Sequence, residues 1–224
     1  MAADFDLQML PRYIDHTLLK PDATKEAIAR LCAEAGQYKF YSVCVNSGWV
    51  AFCREQLADS GVKISAVAGF PLGAEKSAVK AFEAAAAAED GAEEIDMVLP
   101  VGALLAGDEH AVREDIRSVV EAVRGKAIVK VILETGFLSD EQKKTACRLA
   151  AEAGAHFVKT STGFGPGGAT VSDVRLLRQS VPPHMQVKAS GGVRDLKTAL
   201  AMIGAGADRI GTSSGVAIMS EARC

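Results

Sequence analysis

The 224-residue sequence predicts a single-domain (β/α)8 barrel. Short β-prone runs alternate with longer segments whose apolar residues recur at helical spacing, the signature of βαβ units around a parallel sheet. Eight such runs share the chain at roughly 28 residues each, about the length of one strand, one helix and two short loops. A weak internal repeat supports the same division. Asp90-Gly-Ala-Glu-Glu-Ile-Asp96, Glu152-Ala-Gly-Ala-His-Phe-Val-Lys159 and Gly204-Ala-Gly-Ala-Asp-Arg-Ile-Gly211 each read as a helix end, a glycine stop and a strand. No Pro/Ser-rich linker divides the chain, so one domain over residues 1–224 is expected. The main competitor is an open doubly wound sheet, which more often uses five or six strands and places a glycine-rich turn after the first.

In chain order the expected strands are Tyr13–Thr17, Phe40–Val45, Lys63–Val67, Glu94–Val98, Ala127–Leu133, His156–Thr160, Met185–Ala189 and Arg209–Thr212. Start and stop signals place helices between them. Asp22-Ala-Thr24 opens Lys25–Ala35, an alanine-rich helix over Glu75–Glu89 stops at Gly91, and Ser139-Asp-Glu141 opens Gln142–Ala153. The run Ala84–Ala88 reads as a packed helix face, because alanine has the highest helix propensity.

Composition narrows the class of function. With 49% hydrophobic and 24% charged residues the chain is globular. Its 25 Lys+Arg against 28 Asp+Glu, with no basic block, argue against nucleic acid as a partner. No apolar stretch approaches the ~18 residues of a membrane span, and the start lacks the features of a secretory signal, so a cytoplasmic protein is expected. The five cysteines include no C-x-x-C pair and the four histidines are far apart, which predicts reduced thiols and no metal site.

Glycine-rich loops point to an anion. Gly163-Phe-Gly165-Pro-Gly-Gly168 matches G-x-G-x-x-G, but it follows the sixth strand and has no acidic residue twenty positions on, so it does not read as a dinucleotide site. Gly191-Gly192 after the seventh strand and Gly211-Thr-Ser-Ser-Gly215 after the eighth fall where barrels of this class commonly bind phosphate, with Ser213 and Ser214 adding hydroxyl donors. Ordinary βα turns with serine caps would use the same residues.

Charged residues at strand ends point to chemistry: Asp15, Asp96, Lys130, Glu134, Lys159 and Lys188. Two ammonium groups facing one small cavity repel, and burial also disfavours charge, so one is expected to give up its proton and act as a nucleophile toward carbonyl carbon. A carboxylate such as Asp96 would move protons. A salt-bridge network built on Asp96–Lys159 and Glu134–Lys130 pairs is the alternative. On the residues alone, the reading reaches a Schiff-base barrel acting on a sugar phosphate.

Phe157-Val-Lys-Thr-Ser-Thr-Gly-Phe-Gly165, Val187-Lys-Ala-Ser-Gly-Gly-Val-Arg194, Glu94-Ile-Asp-Met-Val98 and Ile14-Asp-His-Thr-Leu-Leu19 together resemble the deoxyribose-phosphate aldolase family, over about residues 12 to 219. That resemblance implies a class I aldolase reversibly cleaving 2-deoxy-D-ribose 5-phosphate to acetaldehyde and D-glyceraldehyde 3-phosphate, with no metal or organic cofactor. It implies Lys159 as the Schiff-base nucleophile, Lys188 as the residue favouring the neutral form of Lys159, and Asp96 as its partner in a proton relay. It also implies Asp15 as a residue lining the substrate pocket, Cys44 as a cysteine near the mouth, and Thr162, Gly163, Gly191, Gly192, Gly211, Ser213 and Ser214 on the phosphate side. The implied partners are a small sugar phosphate and acetaldehyde; a homo-oligomer is left open. Some relatives carry a lysine where this chain has Phe164, and some have a longer tail ending in tyrosine.

Overall fold

Alternation within each strand separates two environments, an apolar outer face under the helices and a polar barrel interior. The computed structural model describes residues 5–223; the outermost positions of the expected domain, and Cys224, lie outside the described residues. Its strands are β1 (Ile14–Leu18), β2 (Ser42–Val45), β3 (Lys63–Ala68), β4 (Glu94–Val98), β5 (Ile128–Ile132), β6 (Phe157–Lys159), β7 (Gln186–Ser190) and β8 (Arg209–Thr212). They pair in parallel in sequence order, and β8 closes on β1 with Asp15 opposite Gly211 and His16 opposite Thr212.

Helices α1 (Lys25–Tyr38), α2 (Val50–Gln56), α3 (Ser77–Asp90), α4 (Val101–Leu105), α5 (Glu109–Ala122), α6 (Asp140–Glu152), α7 (Val171–Ser180), α8 (Leu196–Gly204) and α9 (Gly215–Glu221) fill the connections. All eight expected strands form, with ends displaced by a residue or two. Tyr13 falls instead in a 3-10 turn over Leu7–Tyr13. Thr24 caps α1 through its hydroxyl. That helix runs through Gly36 and stops only where Lys39 turns left-handed at φ 58°. Gly91 ends α3 with φ 119°, a conformation that costs a residue without Cβ little. Ser139 and Gln142 form a reciprocal capping box on α6.

Outward-facing strand residues such as Ile14, Val43, Ile64, Ile95, Val129, Val158, Val187 and Ile210 pack in one continuous core with Ile28, Ala84, Ile116, Leu149 and Leu177 of the helices. The intervening positions include Asp15, Ser42, Ser65, Glu94, Asp96, Lys130, Lys159, Lys188 and Arg209, all buried. They face the interior, because Lys188 of β7 reaches Asp96 of β4 across the barrel. Interiors of this fold are usually filled by layers of branched aliphatic side chains, so the polar filling here needs a functional account.

A second buried ion pair lies outside the barrel. Lys80 Nζ of α3 donates to Asp115 Oδ2 of α5 at 2.8 Å and to the Val98 carbonyl at 3.0 Å, and the Ser77 hydroxyl donates to Asp115 Oδ1. It fastens two helices to the end of β4. Asp115→Ala leaves the Lys80 ammonium buried without a counter-charge and is expected to cost about 3–5 kcal/mol in urea unfolding. A loss under about 1 kcal/mol would mean that Lys80 finds solvent in the folded state.

Candidate active site

At the carboxyl ends of the strands a cavity of about 380 Å³ opens between the loops after β1, β6, β7 and β8. Lys159 is the last residue of β6; its neighbour Val158 packs outward, so alternation turns the amine into the barrel and onto the cavity wall. Lys188 sits opposite it in register on β7. Asp96 organises both: its Oδ2 accepts from Lys159 Nζ at 2.8 Å and from Lys188 Nζ at 2.7 Å, while its Oδ1 accepts from Lys130 Nζ at 2.7 Å and from the Ser65 hydroxyl at 3.0 Å. Lys188 Nζ also stands 2.5 Å from Asp15 Oδ2. Lys130 Nζ lies 2.6 Å from Glu94 Oε2, and Arg209 bridges Asp15 and Glu94.

Four buried cations (Lys130, Lys159, Lys188, Arg209) thus meet three buried carboxylates (Asp15, Glu94, Asp96), leaving one positive charge in excess within this network. Lys130, Lys188 and Arg209 each touch two carboxylates. Lys159 touches one, on an oxygen that it shares with Lys188, and it alone of the four lines the cavity.

Burial alone would push the Asp96 carboxyl up, but Lys130, Lys159 and Lys188 overcome it and hold the group well below the ordinary carboxylate range. Asp15 behaves likewise: burial is outweighed by Arg209, Lys188 and Lys130. Burial disfavours the Lys188 ammonium, yet Asp15 and Asp96 reverse the sign and hold it above an ordinary lysine. The two lysines are therefore not equivalent, and Lys188 is the fixed cation.

Thr162, Gly163, Gly191, Gly192, Gly211 and Ser213 line the cavity, whereas Ser214 does not. Its N–H is spent on the Thr212 hydroxyl at 2.9 Å, which turns the residue into the start of α9. Asp15 is not a wall residue either. It lies fully buried beneath the cavity, held by Arg209 and the Ser42 hydroxyl, because its mid-strand position on β1 places it a layer below the rim. Cys44, opposite Thr17 and so nearer the rim than Asp15, is fully buried, 4.0 Å from Asp96 Oδ2 and packed with Leu19, Val67 and Phe70, and is not on the cavity wall. Burial pushes its thiol up, away from the reactive thiolate.

The Glu134–Lys130 pair does not form. Lys130 lies mid-strand and is taken by Glu94 and Asp96, whereas Glu134 turns left-handed at φ 54° past the end of β5. Its buried carboxylate accepts from both the backbone N–H and the hydroxyl of Thr162, gripping the segment that follows Lys159. The loops after β6 and β7 also meet backbone to backbone: a Cβ on Gly168 would stand 2.4 Å from the Gly191 carbonyl oxygen.

Glu94 and Arg209 are members of the network that strand-end reasoning missed. Alternation carried the signal, since Glu94 is two residues from Asp96 and must share its face. Lys20 and Arg194 on the cavity wall were missed as well. Among the described residues, no three His, Cys, Asp or Glu side chains group as a metal site, and no helix is long and apolar enough to cross a membrane.

Because Asp15 is held ionised, its stabilising contribution is fully present above the unfolded value near pH 4 and is lost as pH falls through its lower folded value. The difference in unfolding free energy between the wild type and Asp15→Asn should stay level from about pH 5 to 9 and shrink below about pH 4. A difference that already declines from pH 7 to 5 would contradict the electrostatics described.

Comparison with known proteins agrees with the geometry. Residues 10–221 match the model of a family described as DeoC/LacD family aldolase. The chain is 59% identical to a deoxyribose-phosphate aldolase of Enterococcus faecalis over 95% of this chain and 97% of that one. It is 58% identical to one of Thermococcus gammatolerans over 96% of both. Among solved structures it superposes on the tetrameric deoxyribose phosphate aldolase of Aeropyrum pernix with a TM-score of 0.91 at 36% identity, covering 97% of this chain and 92% of that one. An aldolase designated QR15 superposes with a TM-score of 0.90 at 42% identity, covering 95% of both. The chain therefore belongs to the DeoC/LacD family of aldolases.

Proposed function

We propose that the protein is a class I aldolase that reversibly cleaves 2-deoxy-D-ribose 5-phosphate to acetaldehyde and D-glyceraldehyde 3-phosphate through a Schiff base on Lys159. The observation that carries the assignment to Lys159 is its place in the charge network: it is the least compensated cation and the one exposed to the cavity. Release of its proton removes the excess positive charge, and the amine so formed adds to the C1 aldehyde of the open-chain sugar. Loss of water gives an iminium that withdraws electrons from C2. When the C3 hydroxyl passes its proton to the Asp96 carboxylate, the C2–C3 bond breaks, the three-carbon aldehyde phosphate departs, and its bonding pair remains in a two-carbon enamine. Return of that proton to the enamine carbon and hydrolysis of the resulting iminium give acetaldehyde and free Lys159.

Asp96 and Lys188 complete the machinery. The shared oxygen Oδ2 is the acceptor for a proton leaving Lys159, and Lys188, already a full ammonium, holds that oxygen in place without accepting the proton itself. Because Asp96 is held strongly acidic, it holds such a proton only transiently. In this reading Asp15 fixes Lys188, Cys44 fills space beside Asp96, and the phosphate lies against Thr162, Gly163, Gly191, Gly192, Gly211 and Ser213. The lysine itself supplies the electron sink, and the scheme uses no metal or organic cofactor. The described cysteines Cys32, Cys44, Cys53 and Cys147, all free and buried, support a reducing, cytoplasmic setting. The tetrameric relative and exposed apolar side chains such as Leu72 and Phe82 support a homo-oligomer.

Borohydride reduction in the presence of acetaldehyde should leave a covalent adduct that peptide mass spectrometry locates on Lys159. An adduct confined to Lys188 would exchange the two roles, and no adduct would remove the mechanism. Lys188→Leu removes the cation that shares Asp96 Oδ2 with Lys159, so turnover at pH 7 should fall by roughly 10²-fold or more with the circular dichroism spectrum unchanged. Raising the pH should restore the rate only in part, because a change of pH does not replace the lost contact to Asp96. Near-normal cleavage at pH 7 would make Lys188 a structural charge.

A further inference from the structure

We propose that Lys20 is a specificity-determining residue whose ammonium binds the substrate phosphate at the rim of the cavity. The inference rests on the sugar-phosphate reading above and adds to it a charged contact from the opposite end of the chain to the glycine loops.

Barrel closure brings Lys20 there. His16 of β1 lies opposite Thr212 of β8, so the segments leaving the two strands, Leu19-Lys20 and Ser213, emerge side by side at the same rim. Lys20 lines the cavity together with Gly191, Gly192 and Ser213. Its side chain is exposed, and it makes no ion pair or side-chain hydrogen bond among the described residues. That separates it from Lys130, Lys159, Lys188 and Arg209, each of which contacts at least one carboxylate inside the barrel.

The charge of the ligand requires such a group. A phosphate monoester carries about -1.5 to -2 at pH 7, whereas backbone N–H groups and the Ser213 hydroxyl are neutral donors. On the far wall, the loop after β6 presents Phe164, whose ring meets Phe70 edge to face at 5.4 Å and brings no charge. Lys159 on the floor side and Arg194 on the loop after β7 are the other basic residues on the wall, and Lys159 is occupied by Asp96. A lysine is a compact point charge on a flexible stem, suited to follow a phosphate that enters and leaves at an open rim.

The test compares wild type, Lys20→Met and Lys20→Arg on 2-deoxyribose 5-phosphate and on 2-deoxyribose, with inorganic phosphate as a competitive inhibitor. A lost charged hydrogen bond corresponds to roughly 10- to 100-fold. Lys20→Met should therefore lower kcat/KM for the phosphorylated sugar by about that factor, mainly through KM, and weaken inhibition by inorganic phosphate by a similar factor. Cleavage of 2-deoxyribose should change by less than about twofold, and Lys20→Arg should keep most of the preference for phosphate. Equal losses on both sugars, or an unchanged KM and unchanged phosphate inhibition, would overturn the assignment. If wild type favours the phosphorylated sugar and Lys20→Met keeps that preference, Lys20 alone is misassigned; if wild type cleaves neither sugar, the proposed function itself fails.

Discussion

The carboxylate of Asp96 is the constraint on which the rest of the barrel turns. An ionised side chain buried this deeply is tolerated only when its charge is matched and its lone pairs are occupied. Asp96 meets both conditions with ammonium groups from β5, β6 and β7 and a hydroxyl from β3. One residue thereby ties together five of the eight strands. A slip of β4 by one residue would turn Asp96 outward into the apolar layer and leave three lysines facing one another. Network and register therefore define each other. The same oxygen that holds Lys188 charged is the only carboxylate contact of Lys159 among the described residues, so the two lysines differ by their count of partners rather than by residue type.

Giving the interior to charge is affordable because cohesion comes from elsewhere. The outer faces of the strands are near-continuous valine, isoleucine and alanine packed under helices, as expected of a parallel sheet covered by its crossover connections. Toward the amino-terminal end Arg209 bridges Asp15 and Glu94 beneath the Tyr41 ring, 3.4 Å from its centroid, so the lowest charged layer is sealed by a cation–π contact. Polarity then grades from a saturated floor to an open rim. Of the four cations inside the barrel, Lys159 alone meets the cavity.

At the rim, rigidity is obtained through backbone. Glu134, in a left-handed conformation, uses its carboxylate to hold Thr162, and Gly168 lies against the carbonyl of Gly191. The loops after β5, β6 and β7 consequently act as one body placed beside Lys159. Small residues at these positions are required by the close approach of chains, which is also what leaves N–H groups accessible to an anion.

The order of strands, the helices between them and the lysine motifs were legible in the sequence because each rests on local signals: period-two and helical alternation, caps, glycine stops, and charged residues where a strand should end. Thr24, Ser139 and Gly91 act where their chemistry predicts. Lys159, Lys188 and Asp96 were recognisable as a group for the same reason. Their partners were not. Whether Lys130 joins Glu134 or Glu94, whether Asp15 lines the cavity or lies beneath it, and whether Ser214 lines the cavity depend on strand tilt, depth below the rim and backbone turns that no short window encodes. Closure of β8 onto β1, which sets Lys20 beside Ser213 at the rim, joins residues nearly two hundred positions apart. The sequence by itself determined the barrel and the lysines at the ends of its strands; only tertiary structure decided how four cations share three carboxylates, because that balance is a property of distances between strands far apart in the chain.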